Sequence, residues 1–365
     1  MKNRLIMLEG LPGTGKSTNS FKLYEQLLLN GKKVSWIHEV SQPHPVLFFT
    51  ESCMTKEEYR KFKIKYSEVA EILDEVAEVR KTTVGIDQEM VSRRSPEAQK
   101  QEWYQELLQY DAFPTSLDRY EVQALEKWEA FAKNAVQDED KVFILDSSFF
   151  QYQIFTYLLK AAPYKRLESF VGKITECIKP LNPLLIYLYR EHTEDSIAFL
   201  KEQRGEQDLV SIWKRDRGEP YYQNKQKDVM AFYDFLKDYA TYAKDLFATL
   251  KIDKRKIEIS KNNWKAYENE MLELLKINRE EIPAYKAMEG TFVNAEYGLS
   301  FTIKDNVMKD SEGVQRHLFP KSQEEFFVEG IPTILQFFGE SSIRICGQQI
   351  IPQWTETGTI YTKEG

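Results

Sequence analysis

The chain has 365 residues, more than the ~250–300 that one hydrophobic core usually serves, so two domains are expected. At 42% hydrophobic and 29% charged residues, it is not collagen-like, a disulfide scaffold or wholly disordered. With 50 Lys+Arg against 57 Asp+Glu, the net charge of −7 argues against duplex nucleic acid or an anionic membrane surface as partner, and leaves room for a local basic pocket.

Met1-Lys-Asn-Arg opens like a secretory leader, but the apolar run Leu5–Leu8 stops at Glu9, short of the ~7–15 residues such a leader needs. The longest apolar run elsewhere, Leu184–Tyr189, is far below the ~20 residues that span a bilayer, so a cytoplasmic protein without a membrane partner is expected. Cys53, Cys177 and Cys346 have neither disulfide-framework nor metal-ligand spacing and read as free thiols. His38, His44, His192 and His317 are equally scattered and are assigned no metal.

After the first strand-like run, Arg4–Glu9, comes Gly10-Leu11-Pro12-Gly13-Thr14-Gly15-Lys16-Ser17, a full match to GxxxxGK[ST], followed by Thr18. It leads into an amphipathic stretch, Ser17 to Leu29, that reads as a helix. Its glycines let the backbone N–H groups turn inward toward phosphate oxygens. Lys16 is expected to reach the β- and γ-phosphates of ATP or another NTP, and the Ser17 hydroxyl to ligate Mg²⁺. The helix N-terminus adds positive potential. Lys33–Glu39 is a second strand with an acid at its carboxyl end, where α/β sheets place their ligands. Glu39 is therefore a candidate to take a proton from a substrate hydroxyl, or else a surface carboxylate.

Tyr59–Val79, with Phe62, Tyr66, Val69, Leu73 and Val76 at steps of three and four, predicts one long helix, and Leu117–Val136 predicts another. The aromatic group Trp103, Tyr104, Tyr110, Phe113 and Tyr120 is either a roof over an acceptor or core. Val142–Asp146 is an apolar strand ending in an acid that can serve Mg²⁺ or cap a helix. Leu184–Tyr189 is a further strand, followed by Arg190 and a helix capped by Thr193. The cationic stretch beyond it, Arg204-Gly205 and Lys214-Arg215-Asp216-Arg217-Gly218, is a candidate lid over about 204–222 that closes on transferring phosphate, or a solvated face. Arg190 and Arg217 are further phosphate candidates. Lys256–Ile259 is a strand, and the loop to Trp264 either touches the nucleotide base or caps a helix through Ser260 or Asn263.

Strands alternating with helices predict an α/β domain over residues 1–282, a P-loop NTPase with a parallel sheet flanked by helices and a helical insert at about 50–136. From Pro283 the texture changes to short β-rich runs at Gly290–Asn294, Gly298–Lys304, Glu325–Glu329, Ile334–Phe338 and Ser342–Cys346, separated by turn residues. Residues 283–365 therefore predict a small all-β domain, an antiparallel sheet or barrel. That segment carries 7 Lys+Arg and 11 Asp+Glu, so it supplies more than half of the net negative charge.

With these residues in hand, the chain resembles the P-loop nucleoside and nucleotide kinases, particularly the deoxynucleoside kinase and thymidylate kinase branch. The resemblance runs through Gly10–Ser17, Glu39 with Pro43 nearby, Asp146-Ser-Ser-Phe-Phe-Gln-Tyr-Gln153, and Leu184–Arg190 through Arg204-Gly205. It implies that Glu39 is the general base, that Asp146 serves the metal, and that Arg204 or Arg215 holds phosphates. Ser147 stands where the family has arginine, and the segment from Glu39 to Asp146 is longer than such kinases need. The expected activity is ATP-dependent transfer of a γ-phosphate to a small-molecule acceptor, nucleoside- or nucleotide-like among others. An antibiotic-modifying phosphotransferase is the same chemistry on another acceptor. The alternative class is a nucleotide-hydrolysing switch acting through the β domain, which is also where a homodimer or protein contact is expected.

Overall fold

In a computed structural model, residues 2–41, 43–113, 115–347 and 357–364 are described. Met1 and the stretch 348–356 of the expected β domain lie outside the described residues. Five parallel strands form the first sheet: β1 (Leu5–Gly10), β2 (Lys33–Ile37), β6 (Lys141–Asp146), β7 (Pro183–Tyr189) and β8 (Asp253–Glu258), in the order β2-β6-β1-β7-β8. α1 (Lys16–Leu29) joins β1 to β2. The β2–β6 connection holds β3 (Glu51–Thr55), α2 (Lys56–Lys65), α3 (Ala70–Val76), β4 (Ala77–Val79), β5 (Thr83–Asp87), α4 (Gln88–Arg94), α5 (Glu102–Leu107) and α6 (Leu117–Gln137). α7 (Phe150–Leu159) and α8 (Tyr164–Ile178) precede β7. α9 (Thr193–Arg204), α10 (Glu206–Asp216) and α11 (Met230–Thr249) precede β8, and α12 (Trp264–Leu275) follows it.

Strand alternation divides the core in two. Leu5 and Met7 of β1 with Phe143 and Leu145 of β6 face α6, α7, α8 and α11, whereas Ile6, Leu8, Val142 and Ile144 face α1 and α12. The parallel register pairs Leu8 with Asp146, Gly10 with Leu188 and Ile37 with Leu145. The carboxyl ends of β1, β6 and β2 therefore lie side by side, and this alone brings Gly10, Asp146 and the turn carrying Glu39 to one edge of the sheet.

The structure differs from expectation in the insert. The apolar positions of Tyr59–Val79 are buried together, but the chain forms α2, a short 3-10 turn at Ser67–Val69, α3 and then β4. The helix breaks at Tyr66, whose hydroxyl donates to Glu106 at 2.7 Å beside the Lys65–Glu106 ion pair. These tertiary bonds override local helix continuity, while burial preserves the spacing. The insert expected as helical also carries an antiparallel sheet, β3-β5-β4. Glu51 of β3 pairs with Arg80 at 2.8 Å and with Lys127 of α6, all three buried. Glu126 accepts from the backbone N–H and the hydroxyl of both Thr82 and Thr83, fixing that sheet on α6.

Eight antiparallel strands close a barrel: β9 (Gly290–Asn294), β10 (Leu299–Lys304), β11 (Val307–Asp310), β12 (Gln315–Pro320), β13 (Glu325–Val328), β14 (Thr333–Phe338), β15 (Ser342–Gly347) and β16 (Ile360–Lys363). Sequence reading missed β11, β12 and β16, which are short and rich in charged or polar residues. Asp305 and Asn306 both take positive φ in the β10–β11 hairpin, as its two-residue turn requires. The barrel's outer face packs on α1: Phe319 lies 6.1 Å from Phe21, Phe327 lies 6.0 Å from Tyr24, and Lys22 sits 4.4 Å over the Phe319 ring. No helix among the described residues is long and apolar enough to cross a membrane.

Candidate functional site

The loop Gly10–Gly15 is shaped by space as much as by φ. Gly13 and Gly15 take φ 79° and 76°, the left-handed region that L side chains avoid. A Cβ on Gly10 would lie 2.4 Å from the Leu188 carbonyl oxygen, so β7 passes too close for any side chain there. Thr14 donates its hydroxyl to Leu11 O at 2.8 Å, and Lys16 donates to the same oxygen at 3.0 Å. α1 begins without a side-chain cap and without an acid in its first turn, leaving its N-terminal N–H groups and positive dipole end for an anion.

Lys16 is buried, and desolvation holds its ammonium below the ordinary lysine range against the opposing charges of Glu39, Asp146 and Glu9. Asp146, fully buried at the end of β6, is pushed up by burial and then by Glu39, while His38, the Ser17 hydroxyl and Lys16 act in the opposite direction. Its Oδ1 accepts from the Ser147 hydroxyl at 2.9 Å, and its Oδ2 is buried without a hydrogen-bond partner among the described residues. An unshared carboxylate oxygen beside a serine hydroxyl is a donor set suited to a hard cation such as Mg²⁺. Ser147 itself takes φ 58°, and the turn it makes carries the chain from β6 into α7.

A cavity of about 620 Å³ brings most of the expected residues together. Pro12, Gly13, Gly15, Lys16, Ser17, Thr18, Glu39, Arg204 and Arg215 all line it. Arg204 comes from the end of α9 and Arg215 from α10, where it forks onto Asp216 at 2.6 and 2.7 Å. The candidate lid, 204–222, is thus the last residue of α9, all of α10 and the short turn Pro220–Tyr222. Gly13 approaches α9 closely, since a Cβ there would touch the Leu200 side chain at 3.3 Å.

Of the expected site residues, Gly10, Leu11, Thr14 and Asp146 are not among those lining this cavity, and Arg190 and Arg217 lie elsewhere. Arg190 donates to Asn262 Oδ1 at 2.9 Å, stacks 4.6 Å from the Phe199 ring and lines a separate, smaller cavity with Leu11 and Thr14. Arg217 is exposed and lies over Trp213 at 5.6 Å. Two capping expectations resolve differently. Thr193 is the first helical residue of α9, which has no side-chain cap, whereas Asn263 caps α12 by accepting from Ala266 N at 3.3 Å. Trp264 lies against Gly15, 3.1 Å from where a Cβ would stand. Of the five aromatic residues singled out in the insert, Phe113 alone lines the main cavity. Trp103 and Tyr104 are core of the insert, Tyr110 packs against that core, and Tyr120 belongs to the main core.

Several residues at the site were not found by sequence reading. Glu9 is fully buried; its two carboxylate oxygens accept from Phe149 N at 2.6 Å and Gln151 N at 3.0 Å, capping α7. Burial raises its carboxyl to about 7, against those backbone amides and Lys16. An acid ending a buried strand is the signal that singled out Asp146, and it applied equally to Glu9. Gln151 donates to Glu39 Oε2 at 3.3 Å. Phe48 and Phe49 reach the cavity on a turn held by His44, whose Nδ1 accepts from Val46 N and Leu47 N at 3.1 and 2.9 Å. Burial, then the charges of Lys127 and His38, keep that imidazole well below the ordinary histidine range, hence neutral. Tyr152, Phe155, Thr156 and Leu159 of α7 complete the wall with Phe232 of α11. Among the described residues, no cluster of three or more His, Cys, Asp or Glu side chains could hold a metal by itself. Compared with family models and with curated proteins, the chain finds no match.

Proposed function

We propose that the protein is a P-loop phosphotransferase that moves the γ-phosphate of ATP to a hydroxyl of a small molecule, on the pattern of the nucleoside and nucleotide kinases it resembles. The observation that carries this reading is the shared cavity, where a glycine-rich loop with Lys16, the carboxylate of Glu39 just beyond β2, the arginines Arg204 and Arg215 and an aromatic wall meet. The loop amides and the start of α1 cradle the phosphates, and Lys16 neutralises their charge. Ser17 and Asp146 would hold Mg²⁺, which when bound screens the phosphate oxygens from the attacking group. The acceptor oxygen attacks the γ-phosphorus, and the bond from that phosphorus to the β,γ-bridging oxygen breaks. ADP leaves with the electron pair, and the acceptor proton passes to Glu39, which Gln151 orients. Arg204 and Arg215 take up charge spread over the transferring oxygens.

A coupled ADP-release assay over nucleosides, nucleotides and small alcohols tests the reading, with Lys16→Ala as control. Acceptor-dependent release that Lys16→Ala abolishes is the expected result, and release indifferent to every acceptor overturns it. The switch reading is favoured by one observation, the barrel's direct packing on α1. It predicts slow hydrolysis that no small molecule accelerates and a protein partner does.

A further inference from the structure

The wall contributed by the insert and α7 has a charge pattern that phosphate transfer does not itself require. Asp111 lines the cavity, and its Oδ1 accepts from Phe113 N at 2.9 Å. Burial and then the nearby Glu51 push its carboxyl up, against bonds from Phe113 and Gln88. Glu51 has Arg80 and Lys127 as its own cations, whereas Asp111 forms no ion pair among the described residues. A half-buried carboxylate without a counter-ion is a costly feature unless something supplies the positive charge.

Next to it stand three half-buried rings from three segments of chain. Tyr152 lies 5.7 Å from Phe113 at 50° and 5.9 Å from Phe49 at 81°, forming a corner that lines the same cavity. Phe48 carries Lys127 at 4.9 Å and Arg80 at 5.9 Å over its ring, so its face is already used. No cation of the described chain lies over Phe49, Phe113 or Tyr152. Aromatic faces and an unpaired carboxylate attract the same thing, an organic cation. A flat neutral base would stack on the rings but would leave the Asp111 charge uncompensated. Lys16, Arg204 and Arg215, the only lysine and arginines lining the cavity among the described residues, are already assigned to phosphate.

We propose that the acceptor is an amino alcohol, whose protonated amine rests against Asp111 and the rings of Phe49, Phe113 and Tyr152 while its hydroxyl reaches Glu39. The proposal rests on the phosphotransferase reading for the word acceptor, but the ammonium site can be tested without turnover. The full-length protein is titrated calorimetrically, without nucleotide, with phenylethanolamine and with its neutral isostere in which methyl replaces the ammonium. The expected result is about tenfold tighter binding of the amine. Asp111→Asn, which keeps an acceptor for Phe113 N, brings the ratio close to one. Phe113→Leu, which leaves Asp111 in place, narrows it several-fold. Equal binding of the pair, no binding of the amine, or an unchanged ratio in Asp111→Asn overturns the site. The ADP-release assay on the same pair separates the two ideas. Selective amine binding that never stimulates Lys16-dependent release sinks the phosphotransferase and keeps the ammonium site. Equal stimulation by amine and isostere does the reverse.

Discussion

The two ends of the main cavity are built in opposite ways. The end proposed to hold phosphate is built on one stretch, Gly10 to Thr18, whose shape is set by backbone φ values and the close passage of β7. The end proposed to hold the acceptor is gathered from Phe48, Asp111, Tyr152, Phe155, Ile212 and Phe232, residues spread over more than half the chain. A binding surface made of main-chain amides leaves few alternatives, because the groups that bind are the groups that hold the fold. A wall made of side chains on separate segments can be altered one residue at a time, and on the proposed reading it is the part that selects the acceptor.

Substitutions at each end should separate these roles. Lys16→Ala strikes the backbone-built end and should lower acceptor-dependent ADP release by about 10²–10³-fold for every acceptor alike. Loss for some acceptors only would break the comparison. Glu39→Gln, at the junction, should lose about 10²-fold or more in turnover while ATP affinity by calorimetry stays within about twofold. A near-normal rate removes Glu39 from the chemistry. Phe155→Leu, on the side-chain-built end, should raise the KM of the acceptor roughly three- to tenfold with kcat and the KM of ATP little changed. A fall in kcat alone would mean that this wall also positions the phosphates.

The smallest effect lies outside both ends, where α1 meets the barrel. Burial raises the Glu25 carboxyl from an ordinary 4.5 to about 7, against the opposing pull of Lys22, with which it pairs at 2.7 Å. The unfolded chain releases that proton near pH 4.5 and the folded protein only near pH 7, so keeping Glu25 buried costs stability increasingly across that window and by a constant amount above it. Glu25→Gln should therefore stabilise the protein by about 1–2 kcal/mol at pH 8 and by nothing measurable at pH 4, read from chemical denaturation. An equal gain at both values would show that the Glu25 carboxyl titrates in the folded protein as it does in the unfolded chain.

The same contrast explains what could be read from the sequence. The central strands β1, β6 and β7 are nearly continuous apolar runs bounded by turns, so they and β2 were legible within a residue or so, whereas the charged edge strand β8 was read three residues late; parallel pairing then sets Gly10, Asp146 and Glu39 at one edge. The insert was less legible. The spacing at Phe62, Tyr66, Val69 and Leu73 reports a buried face but not that Glu106 draws the chain out of a helix at Tyr66. Phe113 was among the aromatic residues offered as a roof, but Asp111, Phe49 and Tyr152 left no local trace, because their meeting with it depends on the β3-β5-β4 sheet and on Glu51 joining Arg80 to Lys127. Arg190 and Arg217 look like lid residues by composition. Their partners, Asn262 and the Trp213 ring, are tertiary neighbours that spacing alone does not disclose.

The closure of the barrel has a consequence for how the chain reaches its final state. β9 pairs on one side with its sequence neighbour β10 and on the other with β16, where Asn294 donates to Ile360 O across 66 positions. That pairing is among the longest-range contacts in its domain, and such contacts form late because the intervening chain must first be ordered. Phe319 and Phe327, which cover Phe21 and Tyr24 on α1, lie inside this interval. During synthesis the helix that begins at Lys16 thus carries an uncovered aromatic stripe until residues some 340 positions downstream have emerged and closed the ring. The nascent protein is most exposed to aggregation, and to capture by chaperones, in that interval.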